Sequence, residues 1–117
     1  MRVQTKPEVN SRVLDGRYHQ SLSPCREYCV VGYDETRYRV VNDRGEPVLY
    51  PTYLFHVTDS RQPSEWVREE FPDGSFYVDP PECSRPGFYE AWHDGDPETR
   101  AIFARVFRRL CEQGLNE

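Results

Sequence analysis

Between Glu27 and Thr58, short runs of β-branched and aromatic residues alternate with turn residues so closely that antiparallel hairpins are the natural solution. Tyr28-Cys29-Val30-Val31-Gly32-Tyr33 predicts a strand that stops at the polar trio Asp34-Glu35-Thr36. Tyr38-Arg39-Val40-Val41-Asn42 predicts a second strand and Val48-Leu49-Tyr50 a third. Asn42-Asp43-Arg44-Gly45-Glu46 connects them, with Gly45 as the residue able to take positive φ. Pro51 has no amide hydrogen for a ladder, so it ends the third strand or marks a bulge. Pro51-Thr52-Tyr53-Leu54-Phe55 reads as one tight helical turn, and His56-Val57-Thr58 as a short closing strand.

This order resembles the last strands of SH3-like small β-barrels, in which a hairpin leads into a Pro-x-x-aromatic-aliphatic turn and a final strand. The matching residues are Pro51, Leu54 and Phe55 within Tyr50-Pro-Thr-Tyr-Leu-Phe-His-Val57, about a quarter of the chain counting the strands before them. Peptide-binding SH3 domains place a groove-lining tyrosine three residues after the proline, where this chain has Leu54. The resemblance therefore implies barrel geometry over 27–59 and not recognition of proline-rich peptides.

Elsewhere the pattern is less regular. Residues 1–24 sustain neither a period of two nor one of 3.6. They read as a loosely ordered N-terminal arm, with a turn near Leu14-Asp15-Gly16 or docking through Val13, Leu14 and Tyr18 as options. Glu65–Phe71 fits a strand or a short helix, Pro72-Asp73-Gly74-Ser75 is a turn, and Phe76-Tyr77-Val78 is a strand, giving a second hairpin over 65–78. Residues 79–87 are too proline-rich for regular structure. The aromatic run Phe88-Tyr89-Glu90-Ala91-Trp92 should pack on the barrel or on the last helix. Asp96 as N-cap, Pro97 at the first helical position and an apolar stripe of Ile102, Phe103, Val106, Phe107 and Leu110 predict a helix over 97–113, closed near Gly114. The expected fold class is α+β: a small SH3-like antiparallel β-barrel or curled sheet with a C-terminal α-helix packed on it. Residues 25–117 form the single domain.

At 117 residues one domain is the expectation. No run nears the ~20 apolar residues of a membrane span, and Met1–Pro7 lacks an apolar segment of signal-peptide type, so a cytoplasmic protein is expected. In that setting Cys25, Cys29, Cys83 and Cys111 read as free thiols. Residues four apart on a strand lie about 13 Å from each other, so a Cys25–Cys29 bridge would require the chain to fold back. A zinc site from Cys25, Cys29, Cys83 and His93 lacks the usual second close pair. The chain carries none of the nucleotide-binding, metalloprotease or nucleophile-elbow motifs. Asp94 and Asp96, separated by Gly95, read as a turn and a helix cap. No catalytic residue, metal or cofactor is expected.

The charge is where the chain stands out. Its net −5 hides an asymmetry: residues 62–99 carry ten acidic side chains against Arg68 and Arg85, whereas 1–61 have nine basic against eight acidic, and 100–117 four arginines against two glutamates. The acidic stretch is interleaved with aromatics. Carboxylates steer a basic partner and aromatics anchor an interface. The candidate partner-binding residues are thus Glu65, Trp66, Glu69, Glu70, Asp73, Tyr77, Tyr89 and Trp92, in a non-enzymatic protein-interaction module. In character this is similar to immunity-type inhibitors of basic toxins. The plainer alternative keeps the aromatics in the core and the carboxylates as a solvated face, paired in part with arginines of the last helix. A rival from another class is a nucleic-acid-associated small barrel using Arg37, Arg39 and Arg44 beside Tyr33 and Tyr38. The acidic net charge argues against it.

Overall fold

The computed structural model describes residues 1–11 and 19–113. Seven strands form one antiparallel sheet: β1 (Arg2–Thr5), β2 (Glu27–Asp34), β3 (Arg37–Val41), β4 (Pro47–Pro51), β5 (Phe55–Asp59), β6 (Val67–Glu70) and β7 (Phe76–Asp79). A 3₁₀ turn over Thr52–Leu54 joins β4 to β5, and another spans Pro81–Cys83. Two helices follow, α1 (Phe88–His93) and α2 (Pro97–Phe107), the second running into a π-helical segment over Arg108–Gln113.

Strand β2 is the hub. One of its edges carries β3, and the other carries β1 along Glu27–Cys29 and then β7 at Tyr33 and Asp34. The path runs β4-β3-β2-β1-β5, with β7 and β6 branching from β2. The sheet remains open, so the coarse α+β expectation holds and barrel closure does not.

Alternation along β2 divides the interior. Side chains of successive strand residues point to opposite faces. Tyr28 and Val30 accordingly join Met1, Val3, Val9, Leu22, Val40, Tyr50, Leu54 and Phe55 in one core. Cys29 and Val31 join Cys83, Phe88, Tyr89, Phe103, Val106 and Leu110 in the other. Each fully buried valine contributes about 1.5–3 kcal/mol. Trp66 packs against both cores.

The hairpin of β3 and β4 forms where the sequence placed it, in a continuous register from Arg37↔Pro51 to Val41↔Pro47. Asn42 builds its turn: Oδ1 accepts from the amides of Arg44 (2.9 Å) and Glu46 (3.0 Å), while Gly45 takes φ 77°. The second hairpin is β6–β7, which resolves Val67–Glu70 as strand. Asp96 caps α2 through the Thr99 amide at 2.9 Å, with Pro97 in the first turn.

Three further expectations are corrected. Part of the supposed loose arm is β1, which lies between β2 and β5 with Val3 fully buried. Thr5 fits a buried position because its hydroxyl donates to Ser23 O (2.5 Å) and accepts from the Arg26 amide (2.9 Å). Four residues give no sustained period, and their partners lie more than twenty positions away. The expected turn near Leu14-Asp15-Gly16, docking through Val13, Leu14 and Tyr18, and the Gly114 cap fall outside the described residues. The 79–87 stretch contains a 3₁₀ turn, and Phe88–His93 is an α-helix entered through Gly87 at φ 78°. Finally, Cys29 and Cys111 are disulfide-bonded, their Cα atoms 5.8 Å apart; Cys25 (exposed) and Cys83 (buried) are free thiols.

The disulfide ties β2 to the end of the helical layer across a separation of 82 residues. Arg2 reinforces the junction by donating from Nη2 to Cys111 O at 2.9 Å. Closing a loop of that length should stabilise the fold by about 4 kcal/mol in the chain-entropy account. Reductant is expected to lower the denaturant midpoint, and Cys111→Ser to reproduce that loss and abolish further sensitivity to reductant. An unchanged midpoint under reducing conditions would remove the disulfide from the list of stabilising contacts.

Gly32 sets the approach of β7. A Cβ there would stand 2.8 Å from Val78 O and closer still to Asp79 Oδ1. The carboxylate could swing away, but the carbonyl belongs to a paired strand. Gly32→Ala should cost about 1–3 kcal/mol by urea unfolding and raise amide exchange along β7. Exchange unchanged at β7 would show that the strand does not depend on this close contact.

Candidate functional site

The β6–β7 hairpin extends past the point where β7 leaves β2, and all four residues of β6 are exposed. Its turn is fixed locally. The Phe71 amide donates to Ser75 O at 2.9 Å, and Gly74 takes φ 91°. Asp73 Oδ1 accepts from the Ser75 amide (3.0 Å) and hydroxyl (2.7 Å), which holds its carboxyl below the usual range.

Alternation gives the hairpin two faces. Val67, Glu69, Phe71 and Tyr77 share one; Phe71 and Tyr77 meet edge to face at 5.9 Å, and these two and Val67 are among the exposed large hydrophobic residues of the chain. Arg68, Glu70, Phe76 and Val78 share the other, where the Arg68 guanidinium lies 3.8 Å from the Phe76 ring centre and 3.1 Å from Glu70. Val78 is buried, which roots this face in the interior. Glu69 and Asp73 have no cationic side chain within ion-pair distance among the described residues.

Of the eight predicted residues, Glu69, Glu70, Asp73 and Tyr77 are brought together on this hairpin. Glu65 stands at its base, 4.0 Å from Arg109, whose nearer partner is Glu82 at 2.6 Å. Trp66 is half-buried between the cores. Trp92 belongs to the helical layer, packed on Phe103 with the Arg100 guanidinium 4.2 Å from its ring. Tyr89 is buried against Phe88 and Phe103, so its place among surface residues is corrected: α1 turns it inward. Val67 and Phe71 are the surface residues absent from that prediction, and the signal for them was their two-residue spacing around Glu69.

Beneath the hairpin the half-buried Arg39 and Asp79 lie near the buried Cys83 and Tyr89. The Arg39 guanidinium sits 3.7 Å from the Tyr89 ring centre. Asp79 is pushed up to about 6 by burial, with Arg39 acting in the opposite direction and Asp34 and Glu69 adding to the rise. Burial pushes the Cys83 thiol up to about 12, so it is protonated at neutral pH and a poor nucleophile. Among the described residues no three His, Cys, Asp or Glu side chains converge as metal ligands would. A hollow of about 380 Å³ opens beside the hairpin, lined in part by Tyr33, Tyr38, Phe76 and Glu35; Glu35 Oε2 accepts from the Phe76 amide at 3.3 Å.

The arginines of the nucleic-acid alternative do not form one patch. Arg37 is held by Asp34 (2.6 Å and 2.9 Å), Arg39 is stacked on Tyr89, and Arg44 stands apart near Glu46 at 3.9 Å. No helix of the described residues is long and apolar enough to cross a membrane. No protein-family model, curated protein or solved structure matches this chain.

The position of Asp79 gives a pH dependence. A carboxyl raised above its unfolded value favours the protonated native state, so its contribution is most favourable below about pH 4 and is lost as pH rises through about 6. Asp79→Asn should therefore stabilise the protein at pH 7.5, on the order of 1–2 kcal/mol, with a smaller gain at pH 4.5. Urea unfolding at both pH values checks this, and a variant destabilised at pH 7.5 would show that the Arg39 interaction outweighs the cost of burial.

Proposed function

We propose that this chain is a non-enzymatic protein-interaction module whose β6–β7 hairpin engages a basic protein partner. An inhibitor or immunity-type protein is the most concrete form of that role. The observation that carries the reading is the pairing of Glu69 and Asp73, which no cation neutralises among the described residues, with the exposed Phe71–Tyr77 pair beside them. Carboxylates accelerate encounter with a cationic surface, and aromatic side chains supply desolvated contact area once it arrives.

The strand order β4-β3-β2-β1-β5, with a proline-led 3₁₀ turn before β5, supports the SH3-like resemblance, although the sheet is open. In this reading the β unit is a scaffold and the hairpin grafted on β2 is the active part. A cytoplasmic site of action, expected from the sequence, has the Cys29–Cys111 bond against it, because such bonds persist chiefly in oxidising compartments.

The test uses a lysine-rich polypeptide as a stand-in for the basic partner. A triple variant, Glu69→Lys, Glu70→Lys and Asp73→Lys, is compared with Glu90→Lys, Asp94→Lys and Glu98→Lys, which changes net charge equally at exposed positions of the helical layer. Binding by titration calorimetry should fall at least about tenfold for the hairpin triple and only a few-fold for the control, and both should weaken from 25 to 300 mM salt. Equal losses in the two variants would reduce the interaction to net charge and overturn the assignment to the hairpin.

A further inference from the structure

The outer edge of β6 is unpaired: β6 bonds to β7 alone, and no described strand lies on its other side. The Phe71 amide donates to Ser75 O, which places the bonded pairs of the ladder at Phe71, Glu69 and Val67. The amides and carbonyls of Arg68 and Glu70 therefore point away from β7, toward solvent. We propose that this edge binds an extended basic segment of the partner as an added strand, paired through the backbone of Arg68 and Glu70. The inference rests on the reading of the hairpin as the partner surface and specifies how that surface works.

Charge complementarity selects the occupant. Over 65–79 the hairpin and its flanks carry five carboxylates and one arginine, Arg68. Side chains of an added strand alternate between the two faces. Lysines or arginines on one face meet Glu69, and those on the other meet Glu70; opposite charges placed across neighbouring strands attract, and like charges repel. A second copy of this chain pairing about a two-fold axis at Glu69 would set Glu69 against Glu69 on one face and Arg68 against Glu70 on the other, so it keeps a like-charge contact that a basic strand, meeting carboxylates on both faces, does not have. Among the described strands, the two at the ends of the sheet path, β4 and β5, are not acidic in this way. Pro47 and Pro51 bound β4, and β5 reads Phe-His-Val-Thr-Asp.

The mode of binding requires the backbone of the incoming segment and not only its charge. An alternating Lys-Thr octapeptide should bind, and the same peptide methylated on every backbone nitrogen, so that neither of its edges can donate, should bind at least tenfold more weakly despite equal charge. Hydrogen exchange supplies the direct readout: the Arg68 and Glu70 amides, open in the free protein, should become protected at least tenfold with the unmodified peptide. On the protein side, Glu70→Pro removes an outward amide hydrogen together with the carboxylate and should abolish binding, whereas Glu70→Gln, which removes the charge and keeps the amide, should cost no more than about fivefold.

Equal affinity for both peptides with no protection at Arg68 and Glu70 would overturn strand addition, and so would failure of both peptides to bind. If the hairpin charge reversals still discriminate with the lysine-rich polypeptide, the broader reading survives that failure. If those reversals match their control, it is the broader reading that has failed. Protection of both amides in the absence of peptide, with a dimer mass by sedimentation, would assign the edge to a second copy and overturn the proposal.

Discussion

The fold depends on one strand being buried on both faces. In β2 the run from Tyr28 to Gly32 is buried without interruption, Tyr28 and Val30 facing the β core and Cys29 and Val31 facing the helices. A lone curled sheet of this size would leave one face in water, and its strands would alternate apolar with polar. Here the second face is covered by α1, α2 and the π-helical segment, so β2 has no place for a polar side chain in its middle. The disulfide and the Arg2 bond to Cys111 O act on the same junction, joining the strand and its neighbour β1 to the end of the helical layer.

That arrangement explains which parts of the fold were legible. The β3–β4 hairpin and α2 carry their own punctuation, in Asn42 and Gly45 for one and Asp96-Pro97 for the other, and local chemistry decides them. The uninterrupted Tyr28-Cys29-Val30-Val31 run reads as a strand, but its lack of alternation is also the mark of a strand covered on both sides. β1 could not be read this way. Its four residues become a strand only because β2 and β5 flank them, and pairing at such distance leaves no local trace. The Cys29–Cys111 bond was hidden for the same reason: its two sulfurs come together only when the helical layer folds back over β2.

The acidic aromatic stretch was legible as a feature but not as a surface. Its aromatics divide three ways once folded: Tyr89 and Phe88 into the helical core, Trp66 between the cores, Phe71 and Tyr77 onto the hairpin. The plainer reading of that stretch, aromatics inside and carboxylates outside, therefore describes the helical half, where Glu82 pairs with Arg109. It does not describe β6–β7, where apolar and acidic side chains share one exposed face. Separating the two required the register Glu69↔Tyr77, which puts a carboxylate and an aromatic side chain directly opposite each other.

The packing of the cores and the attachment of the β6–β7 hairpin thus sit on different parts of β2. The β1 half of β2 is committed to the cores, while its far end, Tyr33 and Asp34, holds β7 through two paired positions and the close approach at Gly32. A hairpin held so narrowly gains little from its own exposed residues, and charges on β6 add no burial. Val67, Phe71 and Tyr77 lose hydrophobic stabilisation by standing in water beside Glu69. The edge-to-face contact of Phe71 with Tyr77 offsets part of that loss, and in the proposed complex a basic strand laid along the edge would cover more of Val67 and Phe71 and neutralise the carboxylates together. The structural cost and the proposed function therefore have a single origin in the composition of β6 and β7.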